Sequence, residues 1–296
     1  MTTRAKVLLG FIGLGLLTGI IGLATGSNGR NDSFQPTEEF RLESWIPLPG
    51  PFDFNKAVLY LIMAAALTAI AMIYIANRMQ ARPNRVQTAV EALFALMRDN
   101  IAGGNMDREL AKKWFPFVGT LFLFIWFSNL IGYVPLPFND AHPINVFGLE
   151  IPSFAIYAAT ANISVPLALT LMVWVAYHVE GIRVQGLTGY LKSWIPAGTP
   201  GGLKPVLFII EVISHFVRIV SLSVRLFANI LAGHLLILFM AGGLAVILGL
   251  SALGVVTLPV AIVFFVFEVG LVATLQAFIF ATLSAIYLGA ATSEHH

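Results

Sequence analysis

Runs of apolar residues long enough to cross a bilayer, about 20 residues at 1.5 Å each, recur along the chain. They lie near Val7–Thr25, Ala57–Asn77, Trp114–Val134, Ala155–His178, Pro205–Gly249 and Thr257–Ala290. The last two are longer than a crossing needs. As one helix the fifth would reach about 65 Å, twice the hydrocarbon thickness. It must tilt strongly, break near Gly242-Gly243 or end in a re-entrant turn. Pro83–Ile101 follows another pattern. Val86, Val90, Leu93, Phe94 and Met97 fall at helical spacing, with Arg85, Glu91 and Arg98 elsewhere, as in a helix lying on a membrane surface. Val7–Thr25 follows Arg4 and Lys6 and ends in small residues, LATGS; it reads either as a cleaved signal or as an extra span. The pattern predicts an all-α polytopic membrane protein with about six membrane helices, the last two long and strongly tilted, plus one amphipathic surface helix. Residues 1–56 form an N-terminal hydrophobic segment and external loop, and 57–296 the membrane domain.

Composition agrees. The chain is 58% hydrophobic and 11% charged, against about 25% charged in a soluble domain, and its mean hydropathy is +0.85. A net charge of +2 gives no reason to expect a nucleic-acid partner. Cysteine is absent, so thiol chemistry and disulfides are excluded. The loops fix the orientation. Arg78, Arg82, Arg85, Arg98, Arg108, Lys112 and Lys113 crowd one loop, and Arg183, Lys192 and Lys204 lie in the Glu180–Lys204 loop, whereas Val134–Ile151 carries no Lys or Arg. Basic loops stay cytoplasmic, which puts both termini inside.

Ionisable groups within a membrane segment are rare and mark function. Glu211, His215, Arg218, Arg225, His234 and Glu268 lie in the last two runs. At about 100° per residue, Glu211, His215, Arg218, Arg225 and Asn229 share one helix face within roughly 80°, and His234 falls well off it. Glu211 and Arg218 read as an intrahelical pair or as part of a path. His215 and His234 read equally as satisfied interior histidines. Arg225 has no acid at three or four residues' distance, so its partner belongs to another helix or another subunit. A guanidinium stays charged where a buried lysine would lose its proton. Such a fixed charge blocks protons and pulls a proton off a nearby carboxyl group, which suits a gate between two aqueous routes. Asn129, Thr160, Asn162, Ser164, Thr274, Gln276, Thr282, Ser284 and Tyr287 are further polar groups in the spans. They serve either as interhelical glue or as the lining of a wet path.

SLSVRLFANILAGH (221–234), ATLQAFIFATLSAIYL (273–288) and WFPFVGTLFLFIWFSNLIGYVP (114–135) together resemble subunit a of the F-type ATP synthases. The R-L-F-x-N-x-x-A-G pattern carries most of the likeness, which extends from about Pro51 to the C-terminus. The resemblance implies a proton-conducting stator subunit that performs no covalent chemistry itself and needs no cofactor. Its partners would be a ring of c subunits, the peripheral-stalk b subunits, the rest of the synthase and the lipid bilayer. Arg225 would face the carboxylates of the ring, with Asn229 one turn on. Glu211 would serve the cytoplasmic half-channel, and Gln276 would lie near the arginine. His234 and Glu268, with Asn129 and Asn162, would line the route from outside. Glu268 lies eight residues before Gln276, where the family spaces this pair by seven. On a regular helix that extra residue turns Glu268 about 100° away from His234, unless the helix is locally distorted. The final SEHH resembles the cyanobacterial and plastid branch, so a thylakoid-type membrane stands beside the bacterial plasma membrane. A self-contained ion channel or secondary transporter is the alternative, because it too would place charges in the membrane. Neither HExxH, GxSxG nor a phosphate-binding GxxxxGK[ST] loop occurs, which leaves nucleotide chemistry to partners.

Overall fold

The computed structural model describes residues 40, 42, 45–47, 53–80, 83–146, 149–196, 198–243 and 254–292. The Val7–Thr25 run and the Gly249 end of the fifth run lie outside these residues. A two-residue ladder, β1 (Ile46–Pro47) with β2 (Asp53–Phe54), leads into α1 (Lys56–Arg78). Then come α2 (Arg85–Ala95), extended by a wide π turn over Leu96–Ala102, and α3 (Arg108–Gly132). A hairpin of β3 (Leu136–Val146) and β4 (Leu149–Ala155) returns the chain to α4 (Ser164–Ser193). Next are α5 (Lys204–Leu238), with a π turn at Phe239–Gly243, then α6 (Gly254–Phe267), a second π turn at Glu268–Val272, and α7 (Ala273–Thr292). The structure is a helical membrane body with short strand pairs beyond the helix ends.

Lys56–Ile75, Arg108–Gly132, Ser164–Ser193, Lys204–Ala241 and Thr257–Thr292 are each long and apolar enough to cross a membrane. They are the predicted runs other than the N-terminal one. Two boundaries differ from expectation. The fourth span begins at Ser164 rather than Ala155, because Leu149–Ala155 pairs as a strand. It runs on to Ser193, through Glu180–Gly181, where the charges suggested a loop. Gly186 breaks this helix with φ 70°, a left-handed conformation that glycine adopts without steric cost.

Local chemistry starts the helices. The Asn55 side chain accepts from Val58 N at 3.1 Å, and Asn84 caps α2 by accepting from Gln87 N at 2.7 Å; each satisfies a first-turn donor. Pro205 opens α5, where its missing N–H costs nothing. The core gathers Phe122 and Ile125 of α3, Val173 of α4, Leu222 and Leu226 of α5 and Phe280 of α7. Lipid offers helices no hydrophobic drive to associate, so close backbone approach by small residues matters. Ala277, Ala281 and Ala285, spaced by four on α7, are fully buried and provide it. Among the described residues one ion pair joins two helices: Lys113 of α3 donates to the buried Glu180 of α4.

Candidate functional site

Toward the N-terminal end of α5, the glutamate, histidine and arginine at 211, 215 and 218 come together. Their spacings of four and seven put them one and two turns apart on one face. Arg218 Nη2 donates to Glu211 Oε1 at 3.1 Å. His215 Nε2 lies 3.7 Å from the same oxygen. The other ring nitrogen, Nδ1, is 2.9 Å from the Tyr177 hydroxyl of α4. With that hydroxyl donating, the imidazole proton sits on Nε2 and faces Glu211. The His215 ring packs against Trp194 and His178, at centroid distances of 4.5 and 4.8 Å, and those two rings also touch each other at 6.2 Å. Arg218 lies over the Tyr287 ring of α7 at 5.3 Å. A cavity of about 430 Å³ opens onto Tyr177, Glu211, His215 and Arg218. A space that large and polar accommodates water.

Toward the C-terminal end of α5, a second polar cluster joins α3, α5 and the α6–α7 junction. His234 is buried, with Nδ1 3.0 Å from Ile230 O and Nε2 3.1 Å from Gly132 O. Both neighbours are acceptors, so a neutral imidazole satisfies only one of them and an imidazolium satisfies both. The Tyr133 ring packs on His234 at 4.4 Å, and its hydroxyl donates to Glu268 Oε2 at 3.1 Å. The Glu268 carboxyl group rests on Gly233: a Cβ at that glycine would fall 2.3–2.6 Å from its three atoms. Asn129 donates to Ala273 O at 3.3 Å and accepts from Thr160 at 2.8 Å.

The eight-residue interval between Glu268 and Gln276 is accommodated by the π turn at Glu268–Val272. Such a turn takes up one extra residue and recurs at functional sites. It rotates Glu268 back toward α5. The glutamate thus reaches the residue next to His234, although no hydrogen bond joins the two among the described residues; Tyr133 bridges them.

Arg225 and Asn229 lie elsewhere. They are exposed on the outward face of α5, alongside Ser221, Val224 and Ala228, while Leu222, Ser223, Leu226 and Ile230 of the same turns are buried. Among the described residues no carboxylate lies within ion-pair distance of Arg225. Along the α5 axis, Arg225 is about 10 Å from Arg218 and about 13 Å from His234, between the two clusters. Gln276 is buried in α7, and among the described residues no hydrogen bond joins it to Arg225. Among the described residues Asn162 makes none of the bonds of the His234 cluster: its side chain accepts from Ser164 N at 3.0 Å and shapes the start of α4. Tyr133 and Tyr177, the hinges of the two clusters, were not singled out from the sequence. Their signal is weak, because an aromatic in a membrane helix reads as packing; only the hydroxyl at the depth of a histidine on α5 distinguishes them.

Spans of this length, with ionisable clusters in both halves and a bare cation between them, define a polytopic membrane protein that handles charge within the bilayer. The ATP synthase A chain family matches residues 58–289. ATP synthase subunit a of Rubrobacter xylanophilus is 38% identical over 258 residues, covering 85% of this chain and 91% of that protein. The subunit a proteins of Rhizobium rhizogenes and Ehrlichia canis are 34% and 30% identical over 86% and 89% of the chain, and over 95% and 100% of their own lengths. The chain belongs to the ATP synthase subunit a family.

Proposed function

We propose that this chain is the proton-conducting stator of an F-type ATP synthase and that residues 57–296 are its working domain. The observation that carries the reading is the position of Arg225, exposed on the outward face of α5 between two polar clusters. A guanidinium facing hydrocarbon costs several kcal/mol, and a carboxylate supplied by a neighbouring c subunit offsets that cost. A self-contained channel would turn its central charge into its own bundle, so the outward face argues against that alternative. Family membership makes the chain part of an ATP synthase complex. The specific contacts, with the c ring and the peripheral-stalk b subunits, are part of the proposal, as is a bacterial plasma membrane.

In this mechanism, protons from outside pass the Asn129–Thr160 pair and the His234–Tyr133–Glu268 group to a ring carboxylate on the outward face of α5. The neutral carboxyl group travels through lipid and reaches the Glu211–His215–Arg218 cavity, where it releases its proton toward the cytoplasm. Arg225 holds the ionised carboxylate in transit and repels protons that would slip directly between the two routes. The membrane potential supplies about 2.3 kcal/mol per charge per 100 mV. The chain itself binds no nucleotide and makes or breaks no covalent bond. The test is Arg225→Ala in inverted vesicles. ATP-driven pumping is lost while the complex still assembles; pumping at the wild-type rate overturns the proposal.

A further inference from the structure

Two cavities meet at the cytoplasmic corner formed by α2, its π turn and α3, and neither belongs to the proton path. The first, about 520 Å³, is lined by Arg98, Asp99, Arg108, Lys112 and Phe115. The second, about 550 Å³, is lined mostly by apolar groups, among them Met72, Ile75, Leu93, Phe94 and Leu123, with Glu91 also on its wall. Arg98 and Phe115 line both, so a charged chamber and an apolar chamber share a wall. We infer that this corner binds one anionic glycerophospholipid, with the headgroup in the charged chamber and an acyl chain in the apolar one.

The charges select the headgroup. Arg108 and Lys112 are one turn apart on an exposed face of α3. Neither has a carboxylate within ion-pair distance among the described residues, so both are open to a phosphate. Arg98 is partly engaged: its Nε and Nη2 donate to Asp99 at 2.7 and 3.0 Å. Those two bonds leave three of its five donors. Asp99 would repel a bare phosphate but accepts hydrogen bonds from hydroxyl groups. A phosphate against Arg108 and Lys112, with headgroup hydroxyls against Asp99, fits a phosphatidylglycerol-like lipid better than a zwitterionic one.

The geometry orients the tail. Lys112 and Lys113 end the polar part of α3, and the apolar wall continues from Phe115 to Leu123, about 12 Å deeper along the helix. A lipid seated this way has its phosphate at the interface and its chain in the hydrocarbon, as in the surrounding leaflet. Gly119 keeps the second chamber wide. A Cβ there would lie 3.8 Å from Met97 Sδ and from the Phe115 ring, so a larger side chain would project into the space without striking backbone. Basic pockets between membrane helices on the cytoplasmic side are known to suit anionic headgroups.

The test is native mass spectrometry of the intact synthase complex titrated with phosphatidylglycerol, with phosphatidylcholine and with inorganic phosphate. The inference expects one saturable phosphatidylglycerol, weaker phosphatidylcholine and no competition by millimolar phosphate. Arg108→Gln with Lys112→Gln lowers phosphatidylglycerol affinity by about fivefold for each charge removed. Gly119→Leu weakens it with every charge retained. The inference is overturned if both variants bind as the wild type does, if phosphatidylcholine binds equally well, or if phosphate displaces the lipid. A photo-reactive side chain at Phe115 that captures another subunit rather than lipid also overturns it.

Discussion

Replacing Gly233 with alanine would displace Glu268 without altering its chemistry. The new Cβ would lie 2.3 Å from Oε2, 2.4 Å from Cδ and 2.6 Å from Oε1, whereas ordinary contact begins at 3.4 Å. The carboxyl group must therefore retreat by about 1 Å. Oε2 now accepts from Tyr133 at 3.1 Å, and lengthening that bond to about 4 Å ends it. A hydrogen bond to a charged group contributes about 1.5–3 kcal/mol, a factor of roughly ten to one hundred. Because the glutamate chain is flexible and relaxes, a loss of about tenfold in ATP-driven pumping is expected. The assay is proton uptake by inverted vesicles, normalised to assembled complex. A second substitution separates displacement from general damage. Glu268→Asp shortens the side chain by about 1.5 Å and makes room for the new methyl group. The double variant should therefore pump faster than Gly233→Ala alone, which is a coupling between neighbouring sites. Wild-type pumping by Gly233→Ala, or a double variant no better than the single, would refute the reasoning.

At the inner cluster, Tyr177→Phe removes the 2.9 Å contact with His215. A hydrogen bond of about 1 kcal/mol predicts a drop of roughly fivefold in pumping rate, with assembly intact. Vesicle assays at matched complex content check it, and an unchanged rate counts against a role for the Tyr177–His215 pair. In the core, Lys113→Met leaves the buried Glu180 without its cation. Lys113 is itself half-exposed, so the cost is about 2 kcal/mol, below that of a fully buried pair. Thermal inactivation of the complex should come at lower temperature, and adding Glu180→Gln should restore most of the loss.

The apolar runs located the described spans, because a bilayer demands continuous apolar length and charges interrupt it. The same reasoning failed at Glu180, where a charge was taken for the start of a loop. There the ion pair with Lys113 lets the helix carry the charge inward. It also failed at Ala155, since prolines and small polar residues between Leu136 and Ala155 disguise a hairpin as the approach to a helix. At the site, helical periodicity was enough to bring Glu211, His215 and Arg218 together and to set His234 apart, because α5 is regular through that region. Glu268 depended on a π turn that periodicity cannot show. A single extra residue moved it by about 100° on the ideal wheel, and only the distorted backbone returns it to Gly233. Tyr133 and Tyr177 depend on contacts between helices remote in sequence, and nothing in their own segments marks them.

The central claim is that the face of α5 bearing Arg225 runs against the carboxylates of a rotating partner. This chain has no cysteine, so single cysteines can be introduced without background. Ser221→Cys, Val224→Cys and Ala228→Cys sample the exposed face, and Ser223→Cys samples the buried one. The measurement is disulfide cross-linking of each to a cysteine placed beside the c-subunit carboxylate in assembled membranes. The account predicts cross-links from 221, 224 and 228 and none from 223. Cross-links from 223 alone, or from none of the four, would contradict it.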